Sequence, residues 1–190
     1  MKPVAIVGKF CSGKTTLANV LVDEYGFVKV SMANNMKNIV REVYGTLDKQ
    51  DLIWRTRRDG TAEQITVREM LQVLGESVKD ADRDIWLKWL EQDMMFMRGP
   101  FVMDDMRLLF EAEELKKAGW VIVALVCPEP VRIARYVERY GKPPSETETN
   151  HKTETESGLI EPDIRLDATL SPEYLAAYVA SIASEVGDEV

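Results

Sequence analysis

A chain of 190 residues is long enough for one well-buried core and short for two. Its ordinary apolar content and formal charge of -8 suit a soluble globular domain, and they argue against tight, sequence-independent binding to nucleic acid, which requires phosphates to be neutralised. No apolar run reaches the length of a bilayer span, the N-terminal run is too short for a signal peptide, and Cys11 and Cys127 form neither a disulfide framework nor a metal spacing, which fits a reducing cytoplasm.

In chain order, "VAIV" (4–7) reads as a buried strand, followed by a helix over about 14–25. "FVKVSM" (27–32) is a second strand, and a helix runs on through Val43. The segment 54–64, "WRTRRDGTAEQ", is polar and rich in arginine. After it, Val67, Met70, Leu71, Leu74 and Val78 form one helical stripe, and "DIWLKWLEQDMMFM" continues as another helix. "FVMD" (101–104) is a third strand, and "EAEELKKAG" is a helix stopped by Gly119. "WVIVALV" (120–126) is a fourth strand, before a helix that opens with proline and ends at Gly141. "DIRLDA" is a short last strand before a closing helix from Pro172 to about Val186. Short apolar strands alternating with helices predict one three-layer α/β/α domain around a parallel sheet of about five strands. Residues 142–161, rich in Ser, Thr and Glu, read either as a surface loop or as a mobile lid.

The motif that carries chemistry is "GKFCSGKT" (8–15), a match to GxxxxGK[ST] through Gly8, Gly13, Lys14 and Thr15. Glycines let backbone amides wrap phosphate, the lysine reaches the β and γ oxygens, and the threonine hydroxyl suits Mg²⁺. The helix that starts here aims its dipole and free amides at the same anion. Cys11 inside the loop reads as a passive small residue or as a thiol with a lowered pKa. The guanine-specifying Asn-Lys-x-Asp of switch GTPases is absent, and the chain is short for an oligomeric motor domain. A small-molecule kinase remains. It needs an acceptor pocket, positive charge for the moving phosphoryl group and a way to exclude water.

Candidates exist for each need. Arg68, Gln72 and Gly75 share a helical face (i, i+4, i+7), which reads as an exposed polar face or as an acceptor pocket where an arginine forks onto phosphate and a glutamine reads a base edge. Arg132, Arg135 and Arg139 share another, either paired with Glu129 and Glu138 or closing on a triphosphate. Ligands collect at the carboxyl ends of strands in such sheets, so one of Asp104 and Asp105 is expected to face Mg²⁺ or acceptor. His151, the only histidine, is a solvated loop residue or a contact to nucleotide. The four tryptophans and Met94, Met95 and Met97 read as core and helix packing, with base stacking as the alternative.

Assembled, these residues resemble the deoxynucleoside monophosphate kinases of tailed phages, within the wider P-loop nucleoside monophosphate kinase fold. The phosphate loop is similar, as are "VSMANNMK" (Ser31, Ala33, Lys37), "TVREMLQVLGE" (Arg68, Gln72, Gly75), "DMRLLFEAEELKKAG" (Asp105, Arg107, Glu111) and "HKTETE", with Thr153 where serine is usual. The chain departs from the family at Lys79, with Arg83 a little later, where an arginine is expected, and at Asp167, where asparagine is. The resemblance implies transfer of the ATP γ-phosphoryl to a (deoxy)nucleoside 5′-monophosphate, in the host cytoplasm if the chain is phage-encoded. It also implies one domain over 1–190 with an acceptor-binding helical region over about 33–98 and a mobile lid over about 132–161. With the motif, it places ATP against Gly8, Cys11, Ser12, Gly13, Lys14, Thr15, Thr16 and Arg132. Mg²⁺ falls to Thr15 and Asp104, and the acceptor to Ser31, Lys37, Arg68, Gln72, Asp105 and Arg107. Catalysis falls to Lys14, Asp105, Arg107, Arg135 and Arg139, and the lid to His151, Thr153 and Glu154. Expected partners are ATP and a nucleoside monophosphate, with a homodimer left open and no membrane. The competing functions are a kinase of another acceptor, either dephospho-coenzyme A or the hydroxymethyl group of a modified pyrimidine in phage DNA, and a non-enzymatic nucleotide-binding regulator.

Overall fold

The computed structural model describes residues 1–144 and 158–185. These divide into two compact units: Met1–Ser31 with Met97 onwards, and Met32–Phe96.

The first unit is built on a parallel sheet. Its strands are β1 (Val4–Val7), β2 (Val28–Val30), β5 (Phe101–Met103), β6 (Val121–Val126) and β7 (Ile164–Asp167), in the order β2-β5-β1-β6-β7. Register is set at Val4↔Val102, Val30↔Met103, Val7↔Ala124 and Val126↔Asp167. All five strands therefore end at one edge. Strands this apolar must be covered on both faces, and alternation assigns the faces. Val4, Ile6, Val102, Val123 and Leu166 point towards α1 (Lys14–Tyr25) and α7 (Pro172–Glu185), where they meet Leu17, Leu21, Leu175 and Val179. Burying each such side chain contributes about 1.5–3 kcal/mol. Ala5, Val7, Met103, Ile122 and Ala124 face the other way, and α5 (Leu109–Lys117) packs beside β6 with Ala112 and Leu115 buried. Helix α6 (Glu129–Tyr140) completes this unit. The sheet and its helices match the expected fold class.

The second unit holds α2 (Asn34–Tyr44), β3 (Leu52–Thr56), β4 (Ala62–Thr66), α3 (Val67–Lys79) and α4 (Ile85–Met95). The arginine-rich segment, to which the sequence reading assigns no element, is part of an antiparallel hairpin, with Ile53↔Ile65 and Arg55↔Glu63 in register. The connection over 57–61 closes through Arg57 N–H to Thr61 O (2.8 Å), with Gly60 left-handed at φ 84°. Ile53 and Ile65 are buried with Val40 and Val67, which anchors the hairpin to α2 and α3. A capping box, Thr66 with Glu69, starts α3 directly from β4. No helix among the described residues is long and apolar enough to cross a membrane.

Candidate active site

The phosphate loop begins where β1 ends. A Cβ on Gly8 would lie 2.8 Å from Ser12 Oγ and 2.9 Å from Leu125 O, so only glycine lets the chain turn this close to β6. The loop folds back through Ser12 N–H to Lys9 O (3.2 Å), and Cys11 and Gly13 both sit in the left-handed region, at φ 52° and 99°. Helix α1 then starts at Lys14. Helices α3 and α5 satisfy their first amides with Glu69 and Glu111, but the first turn of α1 has no acidic residue, and no side chain among the described residues caps it. Its amides and dipole are left for an exogenous anion. Lys14 Nζ arches over the loop and donates to Gly8 O (2.5 Å) and Lys9 O (2.8 Å), while Thr15 and Thr16 are exposed. Ser12 Oγ is buried with no hydrogen-bond partner among the described residues. Burial pushes the Cys11 thiol up, against the pull of the Arg139, Lys14, Arg132 and Arg135 cations.

Helix α6 lies against this loop, and its three arginines are not equivalent. Arg132 is only 5% exposed; its guanidinium stands 4.7 Å from the Phe10 ring centroid, and Nε donates to Cys127 O (3.3 Å). Phe10 meets Tyr136 edge-on at 6.0 Å, and Tyr136 packs on Tyr140 at 4.5 Å. Arg135 donates to Ala168 O (2.9 Å) and Ser12 O (3.4 Å). Arg139 is exposed, its guanidinium over the Tyr140 ring at 5.5 Å from the centroid.

On the other side of β1, the chain leaves β5 through two aspartates that diverge. Asp105 accepts from the buried Ser31 hydroxyl at 2.6 Å. Asp104 pairs with Lys29 Nζ at 2.9 Å, and the same ammonium reaches Asn19 Oδ1 on α1 at 3.3 Å. Glu111, 6% exposed, accepts the amides of Arg107 (2.9 Å) and Leu108 (3.0 Å), which fixes the backbone that carries the exposed Arg107 side chain.

In the second unit, α3 carries Arg68, half-buried, and Gln72, exposed. Gly75 below them lets Met36 of α2 approach, since a Cβ there would lie 3.2 Å from its Sδ, and Gly75 O accepts from Trp86 Nε1 at 3.3 Å. Lys37 is half-buried on α2. The hairpin cations are partly spent: Arg55 and Arg57 both pair with Glu63, and hydrogen bonds from Arg57 and then Arg55 hold its carboxyl down at about 2. His151, Thr153 and Glu154 lie outside the described residues.

Sequence reasoning missed Phe10 and Lys29. Phe10 occupies one of the unspecified positions of the loop motif, which carry no signal. Lys29 did carry one, as the lone charge inside "FVKVSM".

A glycine loop between β1 and α1, with a carboxylate at the end of the adjacent strand of a five-stranded parallel sheet, defines a P-loop kinase fold. The chain belongs to the AAA domain family, whose profile matches residues 4–156. It is 25% identical over 142 residues to a "putative deoxynucleotide monophosphate kinase" of Acanthamoeba polyphaga mimivirus, covering 66% of this chain and 74% of that one. Among solved structures it is similar to a gluconokinase from Sinorhizobium meliloti 1021, with TM-score 0.57 and 14% identity, covering 98% of this chain and 94% of that one. The shikimate kinase of Aquifex aeolicus vf5 is similar too, with TM-score 0.56 and 16% identity over 96% of each chain. At these identities the structural likeness is one of fold.

Proposed function

We propose that the chain transfers the γ-phosphoryl group of ATP to a (deoxy)nucleoside 5′-monophosphate, giving the diphosphate. The observation that carries this reading is the uncapped start of α1 under Lys14, flanked on the neighbouring strand by a carboxylate held by Ser31. The name of the mimivirus relative supports the nucleotide as acceptor. The attacking oxygen belongs to a phosphate that is already mostly ionised at neutral pH, so positioning and charge neutralisation suffice. Lys14 and the loop amides hold the donor phosphates, and Arg139, exposed at the end of α6, closes on them. The family resemblance assigns Arg107 and Asp105, just beyond β5, to the acceptor phosphate, and it assigns Arg68 and Gln72 of the second unit to acceptor recognition.

Thr15 and Asp104 suit Mg²⁺, a hard cation that prefers oxygen ligands. Asn19, one turn beyond Thr15 on α1, shares the Lys29 ammonium with Asp104, so that carboxylate lies on the α1 side of the sheet. When bound, the ion neutralises charge on the phosphate oxygens.

The basic hairpin favours a second reading, a kinase acting on a modified base in DNA. Glu63 already answers Arg55 and Arg57, which weakens it. Replacement of Arg68 by alanine separates acceptor from donor binding. The acceptor KM should rise by about ten- to a hundred-fold while the ATP KM stays put, because a charge-assisted bond to phosphate is lost on one side only. Equal changes in both constants would count against the assignment.

A further inference from the structure

We propose that Arg135 is a positioning residue that sets the phosphate loop, and that it does not touch the group transferred. The inference rests on nucleotide binding at the loop, as proposed above. Its motive is what the guanidinium already holds. Nη2 donates to Ala168 O just beyond β7 (2.9 Å), and Nη1 lies 3.4 Å from Ser12 O and 3.6 Å from Cys127 Sγ just beyond β6. One rigid fork thus ties α6, two strand ends and the phosphate loop together. All three acceptors are neutral, and no carboxylate among the described residues pairs with Arg135.

The consequence follows from peptide geometry. A trans peptide is planar, and its C=O and N–H point in opposite directions. Ser12 O turns towards Arg135, so the amide hydrogen of Gly13, on the far side of the same plane, turns away from it. Gly13 accepts this rotation because its backbone is left-handed, at φ 99°, where a side chain would be strained. The hypothetical Cβ of Gly13 lies 3.7 Å from Arg135 Nη1, so the arginine backs the loop at van der Waals distance. Arg135 is therefore a brace behind the Ser12–Gly13 peptide. Arg132 is occupied in a related way, under Phe10 of the same loop, which leaves Arg139 as the exposed cation of the three.

A brace and a direct γ-phosphate contact make different demands on the nucleotide. Loop amides cradle phosphates that ADP and ATP share, so loss of the brace weakens both alike. A γ-phosphate contact serves ATP and the transition state only. Calorimetry should compare ADP with the non-hydrolysable analogue AMP-PNP on the native chain, Arg135→Ala and Arg135→Lys, alongside steady-state kinetics and melting of the free proteins. We expect Arg135→Ala to weaken both nucleotides by the same factor, about ten-fold or more, with kcat restored close to native once ATP saturates. Arg135→Lys, which keeps the charge but not the fork, should fall between. Native ADP affinity together with weakened AMP-PNP or a kcat that stays low at saturation would overturn the inference. So would unchanged affinity for both, or losses that merely track the melting temperature across the two variants. A native chain that binds ADP yet phosphorylates no monophosphate would overturn the proposed function and leave this inference to stand or fall on the calorimetry. A native chain that does not bind ADP would overturn both.

Discussion

Replacing Ser31 by alanine removes the hydroxyl that donates to Asp105 at 2.6 Å, in a position only 8% exposed. Alanine fits the space, so no cavity beyond one oxygen is left and the sheet is expected to keep its register. A hydrogen bond to a charged group in a half-buried place is worth about 1.5–3 kcal/mol. If Asp105 is productive only in the orientation that Ser31 gives it, the same energy appears in the barrier, as a fall of about ten- to a hundred-fold in kcat. The assay is coupled ADP release with saturating ATP and monophosphate, with the ATP KM as internal control. Ser31→Thr, which keeps a hydroxyl, should recover most of the rate. A Ser31→Ala enzyme within two-fold of native, on the order of 0.4 kcal/mol, would show that Asp105 does not depend on this bond or does not serve the reaction.

Two further outcomes test the second unit. Gly75→Ala should leave the melting temperature near native: alanine favours the helix by about 1 kcal/mol, and the Met36 thioether can shift by the few tenths of an ångström needed. The same variant should raise the acceptor KM and spare that for ATP, as read by initial rates. Glu63 should titrate at about 2, far below its ordinary 4.5, when followed by NMR of its side chain. Because its folded pKa is lowered, the hairpin pairing is present above pH 4.5 and is lost as pH falls through about 2. Arg57→Ala should move that titration upward.

The strands and helices of the first unit were legible because apolar runs such as "VAIV" and "WVIVALV" admit little but buried strands between helices. The hairpin was not. Its inner face runs from Ile53 to Arg55, while Leu52 and Trp54 point outward, 62% and 64% exposed, so polarity does not alternate. The signal that could have found it is the Asp59–Gly60 pair between "LIWRT" and "AEQIT", a turn dipeptide. At the site, the loop motif named Gly8, Gly13, Lys14 and Thr15 because phosphate binding constrains each by chemistry. Spacing also grouped Arg132, Arg135 and Arg139 on one face, but it cannot tell which partners each meets. Those partners, Phe10, Ser12 O and Ala168 O, come from segments distant in sequence or from the backbone. Alternation likewise said that Asp104 and Asp105 diverge, and only the positions of Lys29 and Ser31 said in which direction.

The central claim is a free nucleoside monophosphate as acceptor, and product mass tests it most directly. Purified chain, ATP and Mg²⁺ should be offered a panel of ribo- and 2′-deoxynucleoside 5′-monophosphates, dephospho-coenzyme A, and single- and double-stranded DNA containing 5-hydroxymethyluracil. The account predicts a new diphosphate from at least one monophosphate, with matching ADP release that Lys14→Ala abolishes. Phosphate entering the DNA or dephospho-coenzyme A, with none in any mononucleotide, would contradict it, and so would nucleotide binding without transfer to any acceptor.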